Sequence, residues 1–97
     1  MNVCILESAQ RHLVEGYEFY EEQASGLGRY FLHSLFADIE SLETHAGVHA
    51  KFHGFHRRLS RRFPFAVYYI LERDDVKIHA VWDWRSDPAQ IRRRLRG

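Results

Sequence analysis

The 97 residues, 45% of them apolar and 28% charged, make one globular domain over 1–97 and leave no room for a second. A single cysteine, Cys4, excludes an internal disulfide; no apolar run nears the roughly 18 residues of a membrane span and no basic segment leads into one, which points to a cytoplasmic protein with no membrane partner. The net charge of +1 hides a split: eight acids against two bases over residues 1–48, five against twelve over 49–97, so the second half offers a basic face to an anionic partner.

Asn2 to Leu6 is a short apolar run that predicts a first strand. Ser8 is placed as an N-cap, and Ala9, Leu13, Gly16, Tyr17, Tyr20 and Ala24 then recur at three- and four-residue spacing, the face of a helix over about 8–24. Ser25-Gly26-Leu27-Gly28 breaks that helix. Leu27, Phe31, Leu35, Ile39 and Leu42 predict a second helix over about 28–44, antiparallel to the first because the connection is short. Gly47 and Gly54 make residues 45–55 irregular. Arg57 to Arg62 reads as a basic strand, Phe63-Pro64-Phe65 as a bend, and Ala66 to Leu71 as a strand rich in β-branched and aromatic residues. After a turn at Arg73-Asp74-Asp75, residues Val76, Ile78, Ala80 and Trp82 alternate with Lys77, His79, Val81 and Asp83, which predicts a strand with its first set on the core. Asp87-Pro88 opens a short last helix that ends in basic residues, suited to the negative helix end. The expected fold is α+β: an N-terminal strand and an antiparallel helical hairpin packed on a small, mainly antiparallel sheet, in the order β-α-α-β-β-β, with a short C-terminal helix. Leu13, Phe31, Leu35, Ile39, Ile78 and Ala80 are expected to be buried together.

Two groups of residues bear on chemistry. His45, His49, His53 and His56 are spaced as on one helix face, but the glycines among them disfavour a helix, so they read as a solvated, partly cationic loop and no metal is expected. Arg57, Arg58, Arg61 and Arg62 crowd six residues, Lys51 precedes them, and Arg85 follows the last strand. Arginines so placed grip carboxylates or phosphates, although alternation sends Arg57 and Arg58 to opposite sheet faces. There is no phosphate-binding glycine loop and no nucleophile elbow, and no cofactor is expected.

The stretch His56-Arg57-Arg58-Leu59-Ser60-Arg61-Arg62-Phe63-Pro64-Phe65-Ala66-Val67-Tyr68-Tyr69 resembles the central motif of the RelE/ParE family of bacterial toxins, a basic strand, a Phe-Pro pair and an apolar strand with tyrosine. Val76 to Pro88, with Trp84-Arg85 and Asp87-Pro88, is similar to that family's closing strand and tail, and the helical hairpin with Tyr17 and Tyr20 fits its order. The resemblance implies the toxin of a type II toxin–antitoxin pair, bound by a cognate antitoxin in a hetero-oligomer. It implies either of two targets: DNA gyrase, blocked by binding as in the ParE-like branch, or the ribosome, where the RelE-like branch cleaves mRNA. A third alternative is a non-toxic member that only binds. For cleavage the resemblance implies Arg62 and Arg85 as the catalytic charges; for binding of target or antitoxin it points to Arg57, Arg58, Arg61, Arg62, Trp84, Arg85, Arg92 and Arg93. Tyr69 is the last tyrosine of the chain, so the catalytic C-terminal tyrosine of the cleaving branch is absent, which favours gyrase.

Overall fold

The computed structural model describes residues 1–96. The elements are β1 (Asn2–Ile5), α1 (Glu7–Gln23), α2 (Leu27–Glu40), α3 (Leu42–His45), β2 (Lys51–Phe52), β3 (Phe55–Leu59), β4 (Phe65–Glu72), β5 (Asp75–Asp83) and α4 (Pro88–Arg96). The strands form one sheet in the order β1-β5-β4-β3-β2, with β1 parallel to β5 and every other pair antiparallel. The hairpin of α1 and α2 lies on one face and α4 on the other. This is the expected architecture, extended by β2, a two-residue strand that folds back on β3 through the turn at His53-Gly54.

Gly16 and Gly28 let the two helices of the hairpin pack closely. A methyl group on Gly16 of α1 would lie 2.5 Å from the Phe31 ring, and one on Gly28 of α2 would lie 2.6 Å from the Tyr17 carbonyl oxygen. The turn itself is held by Glu21, whose carboxylate accepts the Gly26 and Gly28 N–H groups, each at 2.9 Å. Those bonds satisfy amides that the start of a helix leaves open, and they hold the Glu21 carboxyl below its ordinary range.

The hairpin-side core joins Ala9, Leu13, Phe31, Leu35, Ile39 and Leu42 to Phe63, Val67, Tyr69, Val76, Ile78 and Val81 of the sheet side. Beneath α4 a smaller cluster holds Ala66, Tyr68, Ala80 and Ile91. Ala80 therefore does not share a cluster with Ile78, as strict alternation predicted. The cause is an irregularity in the β4–β5 register: Tyr68 faces Ala80 and Tyr69 faces Ile78, so His79 is the extra residue of a bulge. Before the bulge Val76 and Ile78 point to the hairpin; after it Val81 does, and Ala80 and Trp82 turn to α4.

Two side chains of α1 complete the backbone bonding of β5 where β1 has ended. Ser8 Oγ donates to the His79 carbonyl at 2.8 Å, and the Val81 N–H donates to His12 Nδ1 at 3.2 Å. Ser8 lies inside α1 and spends its hydroxyl on this contact, so it is not the N-cap; Leu6 holds that position. Ala24, expected on the inner face of α1, is the extended residue that ends it and is exposed.

Candidate functional site

The last turns of α1, the first turn of α2, the β3–β4 loop and the end of β5 meet at one end of the sheet. Tyr20 comes from the inner face of α1, Phe31 from one turn into α2, and the Phe63-Pro64-Phe65 bend sends two more rings to the same place. Tyr20 has its ring centre 5.2 Å from Phe31 and 4.8 Å from Phe63, and Phe63 meets Phe31 edge-on at 5.2 Å. Tyr30 joins through Phe63 at 5.4 Å, and the Trp84 N–H donates to the Pro64 carbonyl at 3.0 Å, tying the end of β5 to the bend. Offset and edge-on ring pairs of this kind add about 0.5–1.5 kcal/mol each to the burial of their area. The platform is therefore held together by several ring pairs.

One arginine, Arg62, stands on it, and a second, Arg85, lies at its edge just after β5. Arg62 Nη1 donates to the Tyr30 hydroxyl at 2.7 Å, with its guanidinium carbon 5.7 Å from the ring centre. Arg85 donates from Nε to Asp83 Oδ1 at 3.1 Å and from Nη2 to Oδ2 at 2.8 Å, and its backbone N–H adds a bond to Oδ1 at 2.9 Å. The Arg85 hydrogen bonds hold the Asp83 carboxyl below its ordinary range. Burial raises the Tyr20 phenol, the nearby Asp83 carboxylate adds to that, and Arg85 opposes it. Phe19, Tyr30 and Trp84 are exposed around this end. Arginine and exposed aromatic side chains together are the residue types enriched where proteins recognise one another. The groups gathered here include no histidine, the one carboxylate is held by Arg85, and a tyrosine of raised pKa keeps its proton near neutrality. They can hold an anion and bury apolar surface.

The other sequence-predicted residues are distributed differently. Arg61 and Arg62 lie in the loop after β3 and not within a basic strand, because β3 ends at Leu59. Arg61 is exposed and, with Arg58 and Arg62, lines a groove of about 310 Å³ along α2. Arg58 is bound into the fold: it donates to Asp38 Oδ1 at 3.1 Å, to the Asp38 carbonyl at 3.2 Å and to Ser41 Oγ at 3.1 Å. Arg57 lies on the opposite sheet face, its guanidinium carbon 4.9 Å from the centre of the Phe52 ring. Arg92 and Arg93 are exposed on α4 and flank it on two sides, Arg92 beside His53 and Phe55 and Arg93 towards α1. The structure thus brings Arg62, Trp84 and Arg85 to one end and leaves Arg57, Arg92 and Arg93 on the face that α4 covers.

The four histidines share no helix face. His45 belongs to α3, His53 takes a left-handed turn conformation with φ of 51°, and His56 is in β3. His49 and His56 correct the expectation of a solvated loop. His49 Nδ1 is 2.6 Å from the Tyr69 hydroxyl, and the His56 ring stacks on that of Tyr69 at 5.0 Å. Burial pushes His49 below its ordinary pKa. Among the described residues no three His, Cys, Asp or Glu side chains are grouped to hold a metal ion, and no helix is long and apolar enough to cross a membrane.

The sequence placed Tyr20 on the first helix and Asp83 in the last strand, but it did not mark them, or Tyr30, as site residues. A signal for Asp83 was present: an aspartate at a strand end readily accepts the backbone N–H two residues on, which here is that of Arg85. For Tyr30 there was none, since its partner Arg62 is 32 residues away.

No protein-family model matches the chain, and no curated protein matches it in sequence. Among solved structures its fold matches that of a chain from the chromosomal ParDE TA system from P. aeruginosa, with a TM-score of 0.75 and 16% identity, over 86% of this chain and 95% of that one. At that identity the match establishes a shared fold.

Proposed function

We propose that a chain with this fold and this arginine–aromatic end is the toxin of a type II toxin–antitoxin module, acting by binding to its target, with DNA gyrase as that target and a cognate antitoxin as its neutralising partner. The observation that carries the reading is the platform of Tyr20, Tyr30 and Phe63 with Arg62 on it and Arg85 at its edge. It supplies cations and exposed aromatic surface and gathers no histidine, which suits binding better than phosphodiester cleavage. The shared fold with a chain of a ParDE system supports the same reading. In the alternative, cleavage of mRNA on the ribosome, Arg62 and Arg85 would stabilise the charge that develops on the scissile phosphate.

Purified protein assayed with gyrase and supercoiled DNA, and separately with programmed ribosomes, distinguishes the two. Inhibition of supercoiling, without mRNA cuts, is the expected result. Site-specific cleavage of mRNA would replace the binding reading with the nuclease one, and inactivity in both assays would leave a protein that only binds an antitoxin-like partner.

A further inference from the structure

A second feature lies away from the arginine–aromatic end and shares no residue with it. Between α1, β5 and α4 runs an open groove of about 840 Å³, within the range of about 300–1,000 Å³ typical of small-ligand sites. Trp82 lies in it with the His12 ring centre 4.6 Å away and the Arg94 guanidinium carbon 5.3 Å from the indole centre. The wall beside Trp82 is fixed, because Ser8 and His12 are both bonded to the β5 backbone. Since the Val81 N–H is donated to His12 Nδ1, that nitrogen carries no proton, and the neutral ring must hold its proton on Nε2, a hydrogen-bond donor. His79, the bulge residue, also lines the groove, and its buried Nε2 has no hydrogen-bond partner among the described residues.

The charge of the lining is one-sided. Arg11, Arg93 and Arg94 face one carboxylate, Glu15. Among the described residues Arg93 and Arg94 enter no ion pair, and Arg11 meets only Glu7, at 3.4 Å on the open surface. Cations in the last turn of α4 also suit its negative end, but that accounts for neither Arg11, which comes from α1, nor the indole beside it.

We propose that this groove binds a phosphate monoester carried on a planar aromatic group, that is, a mononucleotide, with Arg11 and Arg93 holding the phosphoryl oxygens and the base stacking on Trp82 in place of the Arg94 guanidinium. Guanidinium forks match phosphate oxygens, and indole is a stacking surface for any base. His12 supplies a polar contact that fixes orientation at the base of the groove.

The test is titration of the purified full chain with adenosine monophosphate, with adenosine and inorganic phosphate as separate arms, read by calorimetry and by the NMR signals of His12 and the Trp82 indole. Adenosine monophosphate should bind and move both signals, and each fragment alone should bind at least about tenfold more weakly, because each lacks one half of the contacts. Arg11→Ala and Arg93→Ala should each weaken binding about tenfold, the loss expected for one charge-assisted contact. Both side chains are exposed, so circular dichroism should report an unchanged fold. Three results would overturn the proposal: no binding of adenosine monophosphate at millimolar concentration, binding indifferent to both substitutions, or an oligoribonucleotide that occupies the groove more tightly than the monomer. The last would assign the groove to a polymer. Gyrase or ribosome activity plays no part in these readouts, so failure here and failure of the toxin reading are separable.

Discussion

Asp83 grips Arg85 with both carboxylate oxygens, from a position only two residues earlier in the chain. The pair is exposed at its arginine end, so its worth lies in aiming the guanidinium more than in stabilising the fold. Arg85→Ala should abolish or strongly weaken gyrase inhibition without a change in melting temperature. Asp83→Asn, which keeps the shape and removes the charge, should weaken inhibition less than Arg85→Ala, because the arginine remains but is no longer held. Dose–response curves for supercoiling inhibition, with thermal melts of each variant, check this; wild-type inhibition by Arg85→Ala would remove the platform from the target interface.

Arg58 answers to the fold. Its partner Asp38 is buried, and truncation would leave that carboxylate without its cation. Breaking a buried pair from one side costs about 3–5 kcal/mol. Arg58→Ala should lose about that much in urea denaturation, whereas Arg61→Ala, exposed in its loop, should lose less than about 0.5 kcal/mol. Equal, small effects of the two would mean that the Asp38 pair contributes little.

The helical hairpin tolerates no added carbon at its crossing. Gly28→Ala places a methyl against the Tyr17 carbonyl, which cannot move without disturbing α1, and Gly16→Ala places one against the buried Phe31 ring. Overpacking of this kind typically costs about 1–3 kcal/mol. Chemical denaturation of the two variants should show Gly28→Ala to be the worse, since a ring has more room to shift than a backbone. Leu35→Ala, which empties the centre of the same core, should cost about 2–5 kcal/mol.

Acidification should destabilise the protein in the range where histidine titrates. Burial lowers His12, His49 and His79 from the ordinary value of 6.5. Below that value the unfolded chain takes up protons that the folded chain refuses, so stability rises with pH across this window. The contribution is complete above about 6.5 and is lost as the pH falls through the lower folded-state values. Denaturation midpoints at pH 7.5 and pH 5 should therefore differ, the lower pH being the less stable. His12→Gln offers an amide in place of the imidazole and should reduce the difference; an unchanged difference would exclude His12 from it.

What the sequence disclosed follows from the range of each interaction. The faces of α1 and α2 repeat every three or four residues, so local spacing revealed them, and proline after aspartate marked the start of α4. The phase of β5 was legible only as far as Ile78. Its reversal depends on one extra residue set opposite β4, and a run of alternating side chains reads the same with or without such a step. Arg62 with Tyr30, and Arg58 with Asp38, join positions 32 and 20 residues apart, which no spacing rule connects. Arginine count suggested one basic face; the fold instead gives Arg62 and Arg85 to the aromatic end, Arg58 to a buried carboxylate and several to α4.

Ser8 and His12 have a consequence for how the molecule meets its own copies. β1 pairs with β5 only as far as Ile78, and the remainder of that border would otherwise present an open acceptor at His79 and an open donor at Val81. An unfinished strand border is a template for a strand from another chain, and thus for runaway assembly. By occupying both groups from a helix, the chain closes that border without lengthening β1. Protection there rests on one hydroxyl and one imidazole nitrogen, so a Ser8→Ala, His12→Ala double variant should remain folded yet lose its resistance to self-association first along this border.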